Sequence, residues 1–416
     1  MVVSTKLNIT LFTLVLVLFL AISLFPWNKT SNLLLVFNLS STSTTRFLQQ
    51  EAAPKINIRL AIEEQLAKAR CKIHKAIVEE RFASNQKNES FIPVGTMYKN
   101  PFAFLQSHTE MMKTFKIWTY KEGDIPLMHN GPMKSIYSAE GQFIDEMERK
   151  GNPLAAKHPD EAHAFFIPIS VAKIVHYLYT PEEAFGFLER IELIFQDYIY
   201  LISQRYPYWN RSNGADHFFV SCHDWGPFVS QINNPKLFQN VIRVLCNAQH
   251  IRRVYSEARC GNHGVVRNKL FQYWGNKEDN DTQVYTLLQE NQNYTEFLSR
   301  SKYCLCPSGY EVASARLTEA IYVGCIPVVI KNQYVLPYSD VLDWSQFSVQ
   351  VPVPKIPDLK RILETIPFSK YLEMQKRVME VQKHFKVNIP AEQFDVFHMI
   401  LHSVWLRRLN IRLLKS

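Results

Sequence analysis

Glu311, Arg316 and Glu319 follow closely on the short sequence Pro307-Ser308-Gly309-Tyr310. On one helix the two acids would lie about 12 Å apart along the axis and roughly 80° apart around it. An acid at a helix mouth and another deeper in suit a long ligand such as a sugar nucleotide. A helix N-terminus at 308–311 would favour its diphosphate. Each residue also has a plainer use. Ser308 and Glu311 fit a capping box, and Arg316 is spaced either to pair with Glu319 or to contact phosphate. Glu319 stands among apolar residues, where an unpaired charge is costly.

A second group lies in Ala215-Asp-His-Phe-Phe-Val-Ser-Cys-His-Asp-Trp-Gly-Pro227. His223 and Asp224 fall where a strand ends and a helix begins, so they face whatever cleft the sheet forms. Either could take the proton of an attacking hydroxyl, Asp224 first and His223 second, with Asp216 or His217 in support. The alternative is that Asp224 caps a helix and His223 is a satisfied structural histidine.

The elements around these residues alternate. Residues 302–306 form a short apolar run, Val312, Ala313, Leu317, Ala320 and Ile321 recur at helical spacing, and 326–330 is a continuous β-branched run. That is strand, loop, helix, strand, with the two strands parallel and the ligand site beyond their carboxyl ends. Upstream, 115–120, 164–169, 217–222 and 241–246 read as buried strands, with helical patterns at 136–148 and 181–205. The expected class is α/β with parallel sheets. Residues 347–351 read as another strand and 356–385 as two helices. The stretch 390–414 carries Phe394, Phe397, Ile400, Leu401, Trp405 and Leu409 on one helical stripe.

The runs CLCPSGYEVAS, LPYSDVLDWSQFSV and FDVFHMILHSVWLRRLN, with GADHFFVSCHDWGP and VIRVLCNA upstream, resemble the exostosin family, glycosyltransferase family 47, in its plant branch. The likeness covers most of the chain after about residue 90. It implies a GT-B fold of two Rossmann-like domains facing a cleft, a nucleotide-sugar donor, a glycan acceptor, inversion at the anomeric carbon and no required metal or other cofactor. Gly261, His263 and Gly264, followed by Arg267, resemble the family's glycine-rich loop, in which an arginine pairs with phosphate. With Ser308, Gly309, Tyr310, Glu311, Arg316 and Glu319 they make up the expected donor site. The family has a linker and an apolar strand before that loop; here the polar 251–259 precedes it. The second domain is therefore expected to be shortened, with activity reduced or lost, or the chain to serve as a partner that binds glycan or a sister transferase.

Residues 7–25 contain no charge and are long enough to cross a bilayer. No small-residue cleavage site comes after them, which points to an uncleaved signal-anchor. The resemblance adds a Golgi type II topology with a lumenal body. The expected organisation is a tail at 1–6, the anchor at 7–25, a stem at 26–90, an acceptor domain at 91–248, a nucleotide-sugar domain at 249–389 and a closing helix at 390–416. Within the stem, 58–82 reads as a solvated helical spacer. Asn28, Asn38, Asn88, Asn210, Asn280 and Asn293 begin glycosylation sequons that suit a lumen.

The net charge of +9 is dispersed, which argues against nucleic acid and for anionic donors or acidic glycan. The seven cysteines show no zinc spacing. In an oxidising lumen some would pair, and burial as small apolar residues accounts equally for Cys304 and Cys325. Asp279-Asn280-Asp281 has the spacing of a manganese-binding motif, the rival to a metal-free site. A homo- or hetero-oligomer with other transferases is left open.

Overall fold

The computed structural model describes residues 42–81, 91–183, 186–230, 234–246, 264–275, 279, 281–285, 292–309, 312–331 and 334–411, with side chains from residue 58 on. The chain divides into two compact units, Met1–Pro54 and Lys55–Ser416, and both sheets belong to the second. No helix among the described residues is long and apolar enough to cross a membrane. The apolar run 7–25 lies outside the described residues, as do Asn28, Asn38, Asn88 and Asn280.

In chain order the elements are α1 (Thr42–Glu79), α2 (Pro101–Thr114), β1 (Ile117–Thr119), α3 (Ser138–Glu148), β2 (Ala164–Phe166), α4 (Val171–Leu178), α5 (Phe187–Arg205), α6 (Tyr208–Ser212), β3 (His217–Ser221) and β4 (Ile242–Leu245). Then come α7 (Val265–Trp274), α8 (Tyr294–Arg300), β5 (Tyr303–Pro307), α9 (Arg316–Tyr322), β6 (Ile326–Ile330), β7 (Val349–Val351), α10 (Leu359–Glu364), α11 (Phe368–Val381) and α12 (Val396–Asn410). Two sheets result, β1-β2-β3-β4 and β5-β6-β7, parallel throughout.

Both sheets are buried on two faces, as continuous apolar strands require. In the first, Ala164, Phe166, Phe218 and Val220 point to a core shared with α1, α2, α3 and α12. Phe165 and Phe219 point to the opposite core beneath α5. In the second, Cys304, Cys306 and Val329 face α9 and α11, while Val328 and Ile330 face α7. α12 crosses between the halves: Leu401, Val404 and Trp405 enter the first core, whereas Met399 enters the second. The segment before α2 does the same in reverse. Met97, Tyr98, Phe104 and Leu105 pack in the second core, and Asp343 N–H donates to the Met97 carbonyl at 2.8 Å.

The expected solvated spacer is instead docked. Leu66 and Ala69 of α1 are buried against Phe115 and Leu409. Lys72 pairs with Glu110 at 2.9 Å, and Glu63 pairs with the buried Arg408 at 2.6 Å. The sequence of α1 is rich in charge because its other face is solvated, while Ile62, Leu66, Ala69 and Ile73 form an apolar stripe at helical spacing. Leu66→Ala should therefore cost about 3 kcal/mol in denaturant unfolding, where a free spacer would show no change.

Four buried histidines make the fold acid-sensitive. Burial holds His108 well below the ordinary imidazole value, His384 at about 4, and His163 and His402 at about 3. The unfolded chain protonates these rings near pH 6.5 and the folded chain does not. Stability is thus complete above pH 6.5 and falls from there toward pH 4, by up to about 1.4 kcal/mol per ring per pH unit. Unfolding midpoints measured across that window check the slope.

Cys222–Cys246 and Cys304–Cys325 are disulfides, with Cα–Cα distances of 4.6 and 5.9 Å. Parallel pairing places Cys222 and Cys246 just past the carboxyl ends of β3 and β4, and Cys304 and Cys325 at the amino ends of β5 and β6, the neighbouring strands expected for them. Cys306 is a buried free thiol and Cys71 an exposed one.

Candidate active site

The residues that gather at the carboxyl ends of the strands come from both sheets. Asp224 lies three residues beyond β3. Tyr137, just before α3, donates a hydrogen bond to its carboxylate, and the Arg267 guanidinium of α7 acts on it through space. Burial pushes the Asp224 carboxyl above its ordinary value, and these two partners partly offset the rise. Burial, with Asp224 second, raises the Tyr137 hydroxyl to about 12.

His223 packs on Tyr137, ring centroids 4.8 Å apart. Burial holds it at about 4, so it is a neutral ring near neutral pH. The Trp225 amide donates to His223 Nδ1 at 3.1 Å, which leaves the ring proton on Nε2. A ring in that state has no open nitrogen lone pair for a substrate proton. Asp224 is the better base of the two.

On the other side of the group, Arg267 lies against the backbone of Gly309: a Cβ built there would stand 3.1 Å from Arg267 Nη2. The absence of a side chain at 309 is what admits the guanidinium. Burial lowers the Arg267 pKa, and the charge of Arg316 lowers it further. Arg267 Nε is buried without a hydrogen-bond partner. Among the described residues neither arginine forms an ion pair. Tyr294, which opens α8, donates to Glu319 Oε2 at 2.7 Å. Glu319 is half-buried on the first turn of α9. Its partner is this tyrosine, twenty-five residues upstream, and not Arg316.

Three expectations need correction. The helix after β5 begins at Arg316, with Ala315 as an uncapped N-cap, so its N-terminus lies at 315–316 instead of 308–311 and Ser308 does not cap it. Val312 and Ala313 pack on the second core as part of a loop, and that packing outweighs their helical spacing. Asp216 and His217 do not support Asp224. They sit at the amino end of β3, roughly 13 Å along the strand from its carboxyl end. There Asp216 is fully buried and bound by His217, Ser212 and Arg211. The rival aspartates are also engaged, Asp279 with Lys360 at 2.8 Å and Asp281 with the same lysine at 3.5 Å.

Ser308 is buried, its amide donating to the Ile330 carbonyl at 3.1 Å across the β5–β6 register. Gly264 is the N-cap of α7 at φ 91°, a left-handed conformation that favours glycine. Gly261, His263, Tyr310 and Glu311 lie outside the described residues. Asn210 and Asn293 are exposed, and Asn293 caps α8. Sequence reasoning missed Tyr137, Tyr294 and Lys331, the last standing one residue beyond β6 with burial lowering its pKa. Only the rule that ligands meet strand carboxyl ends could have singled out Lys331.

A family model described as the Exostosin GT47 domain matches residues 36–257 and 253–366, two stretches that overlap at 253–257 within the polar segment. A probable glycosyltransferase of Arabidopsis thaliana is 43% identical over 93% of this chain and 80% of that protein. A second from the same plant is 42% identical over 85% and 82%. A probable beta-1,4-xylosyltransferase of Arabidopsis thaliana is 26% identical over 61% and 72%. On the strength of these matches, spanning most of its length, the chain belongs to the exostosin family, glycosyltransferase family 47.

Proposed function

We propose that the chain is a GT-B glycosyltransferase that moves a sugar from a nucleoside-diphosphate donor to a glycan hydroxyl with inversion. The observation that carries this reading is Arg267, packed against Gly309, with the charge of Arg316 acting on it. Two like charges held together with no described ion pair are matched by a dianion such as a diphosphate. Asp224 removes the proton of the acceptor hydroxyl, whose oxygen attacks the anomeric carbon from the face opposite the diphosphate. The bond from that carbon to the phosphate oxygen breaks, and the arginines offset the charge it leaves. Glu319, oriented by Tyr294, holds the ribose hydroxyls. No metal is assigned a step; the acceptor proposed is a cell-wall glycan or glycoprotein, and the name of the beta-1,4-xylosyltransferase relative supports a glycan.

The same reading takes 7–25 as a membrane anchor and the body as lumenal in the Golgi. The domain bounds go with it, 91–248 for the acceptor and 249–389 for the donor.

Titration calorimetry of the lumenal body with nucleoside diphosphates tests the proposal. Binding heat is expected, and Glu319→Ala should weaken affinity about tenfold by removing a charged hydrogen-bond acceptor. A specific observation also favours the alternative of an impaired partner subunit. The family match splits into two stretches that overlap at 253–257, and among the described residues no strand flanks β5 on its outer side. Absence of heat with every diphosphate, in a folded protein, would establish that alternative.

A further inference from the structure

We propose that the turn 137–140 is a positioning device for Asp224, with Glu140 fixing the backbone of its loop and Tyr137 aiming its carboxylate. The inference rests on the reading of Asp224 as the base.

Glu140 is a fully buried carboxylate on the first turn of α3. It accepts from the Cys222 amide at 2.8 Å on one oxygen. On the other it accepts from the Ala172 amide at 3.1 Å and from the Ser170 hydroxyl. These donors stand where the chain leaves β2 and β3, Ser170 and Ala172 at the start of α4 and Cys222 just past β3. A carboxylate is needed because three donors converge and only an acceptor-only group meets them all. Cys222 stands two residues before Asp224, and its disulfide to Cys246 ties the same loop to the end of β4.

Tyr137 and Glu140 share one turn, the Glu140 amide donating to the Tyr137 carbonyl at 3.1 Å. Whatever fixes Glu140 therefore fixes the phenol. The ring packs on His223 and its hydroxyl donates to Asp224. The half-buried carboxylate is thereby held in a set direction by the phenol. Among the described residues the ionisable groups around Asp224 include Tyr137 before α3, the neutral His223 beside it in the chain, and Arg267 from α7. Glu140 acts on the site through Tyr137.

The test uses Tyr137→Phe and Glu140→Gln in the full lumenal body. Tyr137→Phe removes a bond that favours the carboxylate, so the acid limb of the kcat/KM profile for acceptor should move to higher pH. At neutral pH kcat should fall by about ten- to a hundredfold. Nucleoside-diphosphate affinity and the melting temperature should stay at wild-type values. Glu140→Gln should give the same loss of kcat with unchanged diphosphate affinity, since an amide presents two donors of its own to the converging ones. Should that variant fail to fold, Tyr137→Phe alone decides. A wild-type kcat with an unmoved acid limb in Tyr137→Phe overturns the inference. Full activity of Asp224→Asn would overturn the base assignment itself, which separates the two failures.

Discussion

Asp224→Asn is expected to lower kcat by about 10²–10⁴-fold while leaving nucleoside-diphosphate binding intact. The substitution is nearly isosteric, and the amide oxygen still accepts the Tyr137 hydroxyl, so the loop is not disturbed. What disappears is the capacity to take a proton. His223 cannot substitute, because its Nδ1 is occupied by the Trp225 amide and its Nε2 carries the proton. His223→Asn should accordingly cost much less than Asp224→Asn. In the wild type, activity should rise with pH as the half-buried carboxyl ionises, over a range above that of an exposed aspartate. Steady-state rates with the preferred sugar nucleotide, taken for both variants across pH, test the assignment. An Asp224→Asn enzyme with wild-type kcat would move the base elsewhere.

The parts of this molecule that could be read from sequence are those governed by local pattern. All four strands of the first sheet fall within the apolar runs 115–120, 164–169, 217–222 and 241–246, because strands buried on both faces leave an unbroken hydrophobic signature. β5 and β6 were legible for the same reason. The site was legible where a strand end announced it, at His223, Asp224 and Gly309. It was not legible where partners come from afar. Tyr137 reaches Asp224 from 87 positions upstream in the chain, and Tyr294 reaches Glu319 from 25. Nothing in either local sequence distinguishes those tyrosines from the seventeen others. The start of α9 escapes local reading for a related reason: helical spacing of Val312 and Ala313 is compatible with a loop once the second core receives both side chains. The docking of α1 likewise depends on α12, more than three hundred residues later, which supplies the Leu409 carbonyl to Arg70 at 2.7 Å. Propensity sees the solvated face of such a helix and cannot weigh the tertiary contact.

The arginine pair offers a test that separates a ligand site from a structural cluster by the sign of a stability change. Removing either Arg267 or Arg316 takes away charge-assisted bonds to a diphosphate, each loss being worth about 1.5–3 kcal/mol, or roughly ten- to 150-fold in affinity. Arg267→Ala should also slow transfer by about 10²–10³-fold, because charge grows on the leaving diphosphate as the sugar departs. In the unliganded protein the Arg316 charge acts unfavourably on Arg267, whose attractive partners are Tyr294 and Asp224. Arg316→Gln therefore relieves Arg267, and the unliganded fold should melt no lower than wild type and somewhat higher at low salt. A structural ion-pair member would behave oppositely, since its loss strands a buried partner charge. With saturating nucleoside diphosphate the order must reverse, the wild type gaining stability by mass action that Arg316→Gln largely forgoes. Melting curves of both proteins with and without nucleoside diphosphate give the four values required. If Arg316→Gln melts well below wild type without ligand and gains as much from it, Arg316 holds the fold together and the diphosphate contact belongs to other residues.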